Sequence, residues 1–268
     1  MNINTSNQAQ SALMPVIYIP HGGGPMPLLG DADHKELIAY LSQIHNNIET
    51  PKVILMITAH WESHNVSISS SPQPGMIYDY GGFPQETYQY QYPASGEPKV
   101  ANQIADLFKA KGIKSNLDMN RGYDHGTFVP LMLMYPNADI PVVQMSLLRS
   151  LNPKEHIKIG EALSTLREQG VLIVGSGMSF HNFRGSLEES IEFDNWLNET
   201  LTANDMEQSK QDLIQWEQAP SARACHAREE HLLPMHVCFG AAMKQNTPAT
   251  RVFSDYLFNR KISAFMWR

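Results

Sequence analysis

Apolar residues in this chain fall into two alternating kinds of run. Segments 16–20 (VIYIP), 53–60 (VILMITAH), 142–147 (VVQMSL) and 171–175 (VLIVG) are short, nearly continuous and rich in β-branched residues. Such runs predict strands buried on both faces, as in a largely parallel sheet. Segment 66–70 alternates like a half-buried strand, and 261–267 predicts a closing strand. Between these lie stretches with helical spacing. Leu37, Ile38, Leu41 and Ile44 mark a helix over 33–48, with Asp33 as its N-cap. Val100, Ile104, Ala105, Leu107 and Phe108 mark one over 99–111, stopped by Gly112. A buried helix is expected over 127–135, ending before Pro136. A further helix is expected from the Asn152 cap, through Pro153, to Gly170. Segments 193–203 and 205–217 are amphipathic, and 228–244 reads as a longer helix carrying His231 and His236.

Strands that alternate with helices, without a repeat or linker, predict an α/β fold in a single domain. Its central mixed, largely parallel sheet is flanked by helices. The domain spans 15–268, after a polar, flexible N-terminus at 1–14. In such sheets ligands bind beyond the carboxyl ends of the strands. His21 follows the first apolar run directly, His60 ends the second, and His181 lies a few residues past the fourth. Three strands that deliver imidazoles to one edge predict a metal site there, with His231 as a further ligand. Imidazole nitrogen suits iron, zinc, copper and nickel alike. His125 differs from these, since it lies in a polar, Gly-flanked loop. His34, His45, His64, His156 and His226 read as structural or exposed, and His236 as packing.

Composition narrows the partners. The net charge is −7 and no Lys/Arg-rich run occurs, which argues against nucleic acid. No apolar run approaches the ~18 residues a bilayer requires, and the N-terminus has no signal-peptide pattern. Cys225 and Cys238 are the only cysteines, so a cytoplasmic protein without a disulfide framework is expected, as a monomer or small homo-oligomer. Their spacing fits no zinc–thiolate site.

Two other chemistries compete. His21-Gly22-Gly23-Gly24 is similar to the oxyanion loop of HGGG hydrolases. No serine has glycine on both sides at the spacing a nucleophile elbow needs, and Ser179 comes nearest. A metal-dependent or HGGG-loop hydrolase acting on a small aromatic substrate is the alternative function. Gly175-Ser-Gly177 begins a dinucleotide fingerprint, but Phe180 occupies its third glycine position. Segment 72–98 is a long loop rich in tyrosine, and loops of that length are usually functional. Tyr78, Asp79, Tyr80 and Phe83 are expected to line or cover the site.

Six ordered motifs carry a family resemblance. They are Pro20-His21-Gly22-Gly23-Gly24-Pro25, Thr58-Ala59-His60-Trp61, Tyr78-Asp79-Tyr80-Gly81-Gly82-Phe83-Pro84, Tyr123-Asp124-His125-Gly126, Gly175-Ser176-Gly177-Met178-Ser179-Phe180-His181-Asn182 and Glu230-His231-Leu232-Leu233-Pro234. In this order they resemble the class III extradiol ring-cleaving dioxygenases, in the 4,5-DOPA dioxygenase branch. The resemblance implies a non-haem metal, Fe(II) for activity, with Zn possible in purified protein. It implies O₂-dependent cleavage of a catechol ring beside the diol. By position it implies His21, His60 and His231 as ligands, and His181 as a fourth ligand or acid/base group. It implies His125 as a pocket histidine that contacts substrate or moves protons. Glu229 and Glu230 adjoin His231 and leave a carboxylate ligand open. Gly23 stands where the family often has serine, in a loop that lines the site. Gly23, Tyr78, Asp79 and Phe83 are the expected substrate contacts.

Overall fold

In the computed structural model, which describes residues 13–182 and 184–268, the four apolar runs lie side by side as the centre of one sheet. They are β1 (Val16–Pro20), β2 (Val53–Ser63), β5 (Val142–Leu148) and β6 (Val171–Gly177). With β3 (Val66–Ser69), β4 (Ser115–Asp118), β7 (Thr250–Leu257) and β8 (Arg260–Trp267), the order is β4-β3-β5-β2-β6-β1-β8-β7. The central four strands are mutually parallel, and antiparallel pairings enter at β3·β5, β1·β8 and β7·β8. The expected α/β domain with a mixed sheet is observed.

Continuous apolar strands arise because both faces are covered. Along β1, Val16 and Tyr18 face one core, while Ile17 and Ile19 face the other. The first face is packed by α2 (Pro98–Ala110), α4 (Pro153–Leu163), α5 (Leu187–Thr202) and α8 (Leu233–Ala242). The second is packed by α1 (Lys35–Gln43) and α3 (His125–Met134). Ile54, Leu55, Met56 and Ile57 of β2 are wholly buried. Truncating any one to alanine is expected to cost about 2–5 kcal/mol. Short α6 (Met206–Ile214) and α7 (Ala222–Cys225) complete the helical layer. No helix among the described residues is long and apolar enough to cross a membrane.

Several expectations change. Asp31, not Asp33, provides the side-chain cap, accepting from the Asp33 backbone N–H at the 3₁₀ turn Ala32–His34 that leads into α1. Helix α5 starts at Leu187, six residues earlier than its periodicity suggested, because Ser186 and Glu189 form a reciprocal capping box. The expected helix over 228–244 narrows to α8, leaving His231 in the turn before it. Pro234 has no N–H for the Glu230 carbonyl and its ring would clash there, so the helix cannot extend back. Edge strands β4 and β7 lie outside the elements that the sequence pattern predicts. Ser115-Asn116-Leu117-Asp118 is too polar and short to read as a strand. Segment 1–14 lies outside the described residues as far as Ala12.

Candidate metal centre

The carboxyl edge of β1, β2 and β6 gathers five imidazoles. β1 ends at Pro20, and the His21 backbone N–H continues its ladder to the Gly177 carbonyl at 3.1 Å. His60 sits where the β2·β5 register shifts between Ile57 and Glu62, an irregularity of the kind that re-aims a side chain. His125 opens α3, whose first turn is capped by the buried Asp124 carboxylate. His231 is fixed through its carbonyl, which accepts from the Met178 N–H at 3.0 Å and the Tyr18 hydroxyl at 2.9 Å.

The ring centroids of His21, His60 and His231 form a near-equilateral triangle with sides of 4.9, 5.0 and 5.3 Å. His125 lies 3.9 Å from His60 and 5.4 Å from His21, and His181 stacks on His231 at 3.5 Å. The Nε2 atoms of His21 and His60 are 3.2 Å apart. Two nitrogens that share one ion at about 2.1 Å are expected roughly 3.0–3.4 Å apart, so this pair fits a common cation. His21, His60 and His125 each offer an atom within 4.8 Å of the others, as do His181, Glu230 and His231.

Oxygen acceptors lie beside the Nδ1 atoms. That of His21 meets Ser176 Oγ at 3.0 Å, and that of His125 meets Asp79 Oδ1 at 2.9 Å. That of His231 meets Glu230 Oε1 at 2.8 Å. Longer approaches link His60 Nδ1 to Asp79 at 3.5 Å and His181 Nδ1 to Glu230 at 3.6 Å. An acceptor at Nδ1 places the proton there and leaves Nε2 as the lone-pair donor, the arrangement that orients metal-binding histidines. Burial, then the neighbouring imidazoles, holds His21 and His231 well below the usual histidine range. Burial and His125 lower His60 to about 3, against the pull of Asp79. Burial raises the Asp79 carboxyl, but hydrogen bonds and charge from His125 outweigh it and bring Asp79 to about 2. The result is neutral imidazoles ready to coordinate, beside an ionised carboxylate. The donor set fits a divalent transition metal.

Sequence reasoning missed Ser176, Tyr18 and Glu230 as supports. Ser176 Oγ donates to the Gly126 carbonyl and so accepts from His21. It is fully buried. This is the reverse of a nucleophile that gives its proton to a histidine base. Ser179, the nearest elbow candidate, accepts from the Ser263 N–H. Glu229 is engaged by Arg223 at 2.7 Å, so of the two glutamates only Glu230 reaches the histidines. Gly175 and Gly177 serve packing. A Cβ on Gly177 would stand 2.1 Å from the His231 carbonyl, and one on Gly175 would stand 2.7 Å from that of Pro234.

A cavity of about 400 Å³ opens over the histidines and includes all five of them, with Gly23, Tyr80, Phe83, Met178 and Phe180 in its wall. Tyr78 and Asp79 are not in that wall. The Tyr78 hydroxyl donates to the Tyr90 carbonyl and its ring packs on Phe128, while Asp79 is held beneath His125. Asp79 therefore acts on histidines, and the part of the long loop that reaches the cavity is Tyr80 and Phe83. The other histidines are structural or exposed, as expected. His45 and His64 are exposed. His34, His156, His226 and His236 are buried and hydrogen-bonded.

Residues 15–266 match the family model described as the catalytic LigB subunit of aromatic ring-opening dioxygenase. The chain is 38 % identical to dioxygenase tasH of Hapsidospora irregularis, over 95 % of this chain and 86 % of that protein. It is 39 % identical to a Beta vulgaris protein named 4,5-DOPA dioxygenase extradiol, over 89 % and 90 %. An uncharacterized Escherichia coli K12 protein of known crystal structure superposes with a TM-score of 0.77 at 25 % identity, covering 95 % of this chain and all of that one.

Proposed function

The chain belongs to the LigB family, the class III extradiol ring-opening dioxygenases, and from that premise we propose that it cleaves a DOPA-like catechol with O₂ at an Fe(II) centre held by His21, His60 and His231. The observation that carries this reading is the His21–His60–His231 triangle at the floor of a catechol-sized cavity. Relatives named for extradiol cleavage of 4,5-DOPA supply the substrate class. Bound there, Fe(II) supplies the redox chemistry between the diol and O₂.

The protein's own groups bind, orient and move protons. Met178, Phe180, Tyr80 and Phe83 give the cavity an apolar side against which the ring packs. His125, its Nδ1 fixed on Asp79, is the general acid/base that takes a proton from the substrate diol and returns it to the opening ring. His181 is more exposed than the other four and stacks on His231, so it carries protons between the cavity and solvent. Glu230 and His231 stand close enough to share an ion with it, and its greater exposure is what assigns it to proton transfer rather than ligation. The product is a ring-opened semialdehyde. Zinc, which binds such nitrogens more tightly than iron(II), is the expected contaminant of purified protein and does not support turnover.

The reading is tested with metal-stripped protein reloaded with Fe(II) or Zn(II) and given a catechol panel and an ester panel in air. Iron-dependent yellow product from catechols supports it. Ester hydrolysis without metal would replace it with the hydrolase alternative.

A further inference from the structure

The mouth of the cavity is built by a hairpin of which the sequence shows only the second strand. β7 and β8 form a two-residue hairpin in which Leu257 pairs with Arg260. Its turn residues, Phe258 and Asn259, both have positive φ, 49° and 55°. That is the primed turn that suits a tight hairpin, but an aromatic residue in the left-handed region is unusual and must be held there. The Phe258 ring is held edge-on to His34 at 5.1 Å. His34 in turn accepts from the Gly23 N–H at 3.0 Å, so hairpin tip and glycine loop are joined. This geometry sets Leu257, Phe258, Arg260 and Ile262 into the cavity wall.

Arg260 stands out chemically. Among the described wall residues it is the one Lys or Arg, and no Asp or Glu accompanies it. Its Nε donates to the Gly185 carbonyl and its Nη1 to the Asn259 carbonyl at 2.9 Å. Phe180 lies 6.0 Å from its guanidinium carbon. Two neutral carbonyls therefore fix the guanidinium, while no described carboxylate neutralises it. A guanidinium has five N–H donors, and with two given to these carbonyls three remain for a ligand. A fixed cation in a wall without described carboxylates is a ready receptor for a carboxylate.

We propose that Arg260 is a specificity-determining residue, binding an anionic carboxylate on the substrate's side chain while the diol end lies at the histidines. This rests on the ring-cleavage reading above and narrows it to catechols that carry a carboxylate. Neutral and cationic catechols are then poorer substrates.

The test compares 3-(3,4-dihydroxyphenyl)propionate with its neutral analogue 4-propylcatechol in the iron-loaded enzyme. The wild type should prefer the anion in kcat/KM. In Arg260→Gln that preference should fall by roughly 10- to 100-fold, the worth of a charged hydrogen bond. Arg260→Lys should restore part of it, and Arg260→Glu should shift preference toward dopamine. For the wild type, added salt should raise KM for the propionate more than for propylcatechol. A purely structural Arg260 would lower both activities and leave their ratio intact, which overturns the proposal. A wild type that does not prefer the anion also overturns it, and this arm needs no variant to fold. Cleavage of neither catechol would remove the ring-cleavage reading itself, and this inference with it.

Discussion

The Tyr18 hydroxyl donates to the His231 carbonyl at 2.9 Å, joining the first central strand to a histidine 213 residues later. Burial raises Tyr18 well above the usual tyrosine range, so the hydroxyl keeps its proton and remains a donor. Tyr18→Phe keeps the ring's packing and removes only that bond. The expected cost is about 1 kcal/mol of stability. Metal affinity should fall roughly 10-fold or more, as His231 loses one of its two backbone anchors. Calorimetric metal titration beside urea unfolding checks both.

Ser176→Ala separates the metal reading from the hydrolase reading. It removes the acceptor at His21 Nδ1. Metal affinity should drop roughly 10- to 100-fold. Unchanged affinity would make the serine irrelevant to His21. Loss of an esterase activity would revive it as a nucleophile.

His125→Ala should keep the metal and lower kcat by roughly 10²- to 10⁴-fold if the ring is the acid/base. Asp79→Asn should act in the same direction through the 2.9 Å bond to His125 Nδ1. Metal loss from His125→Ala, measured by elemental analysis, would make His125 a ligand instead.

Phe83→Ala tests the cavity-lining part of the long loop. Phe83 lines the cavity and packs edge-on to Tyr80 at 5.6 Å. KM for catechols should rise several-fold with little change in Tm. A lowered Tm with KM intact would assign the ring to packing.

Acid should destabilise the metal-free protein from pH 7 downward. Burial lowers His156 and His236 to about 4 and His226 to about 3. Their folded values lie below the unfolded value of about 6.5, so only the unfolded chain takes up protons between the two. Stability is complete above pH ~6.5 and falls as pH drops toward 4, by about 1.4 kcal/mol per pH unit for each ring at most. Asp124 and Asp194, raised by burial, work in the opposite sense but are outnumbered. Urea midpoints that stay flat between pH 7 and 5 would contradict this.

Much of this arrangement was legible in the residues. Unbroken β-branched runs ending in histidine showed both the parallel sheet and the edge where the histidines meet, because strand burial and chain direction fix where the next residue falls. The partners of those histidines were not legible. Ser176 sits inside an apolar strand, and nothing local shows that its hydroxyl spans from Gly126 to His21. Asp79 lay in the expected loop but serves His125 from below rather than the cavity. The glycines of Gly175-Ser176-Gly177 resembled a phosphate loop, yet their role is a close backbone approach by the segment from His231 to Pro234. The mouth was hidden for a similar reason: a Phe-Asn turn is not a recognisable hairpin signal.

The central claim is ring cleavage by O₂ at a metal held by His21, His60 and His231. Oxygen uptake by the Fe(II)-loaded protein, followed together with ring-opened product, tests it most directly. One O₂ should be consumed per catechol opened, and none by His21→Ala, His60→Ala or His231→Ala supplied with the same iron. Product formation that persists in those variants, or that proceeds without oxygen uptake, would contradict the account.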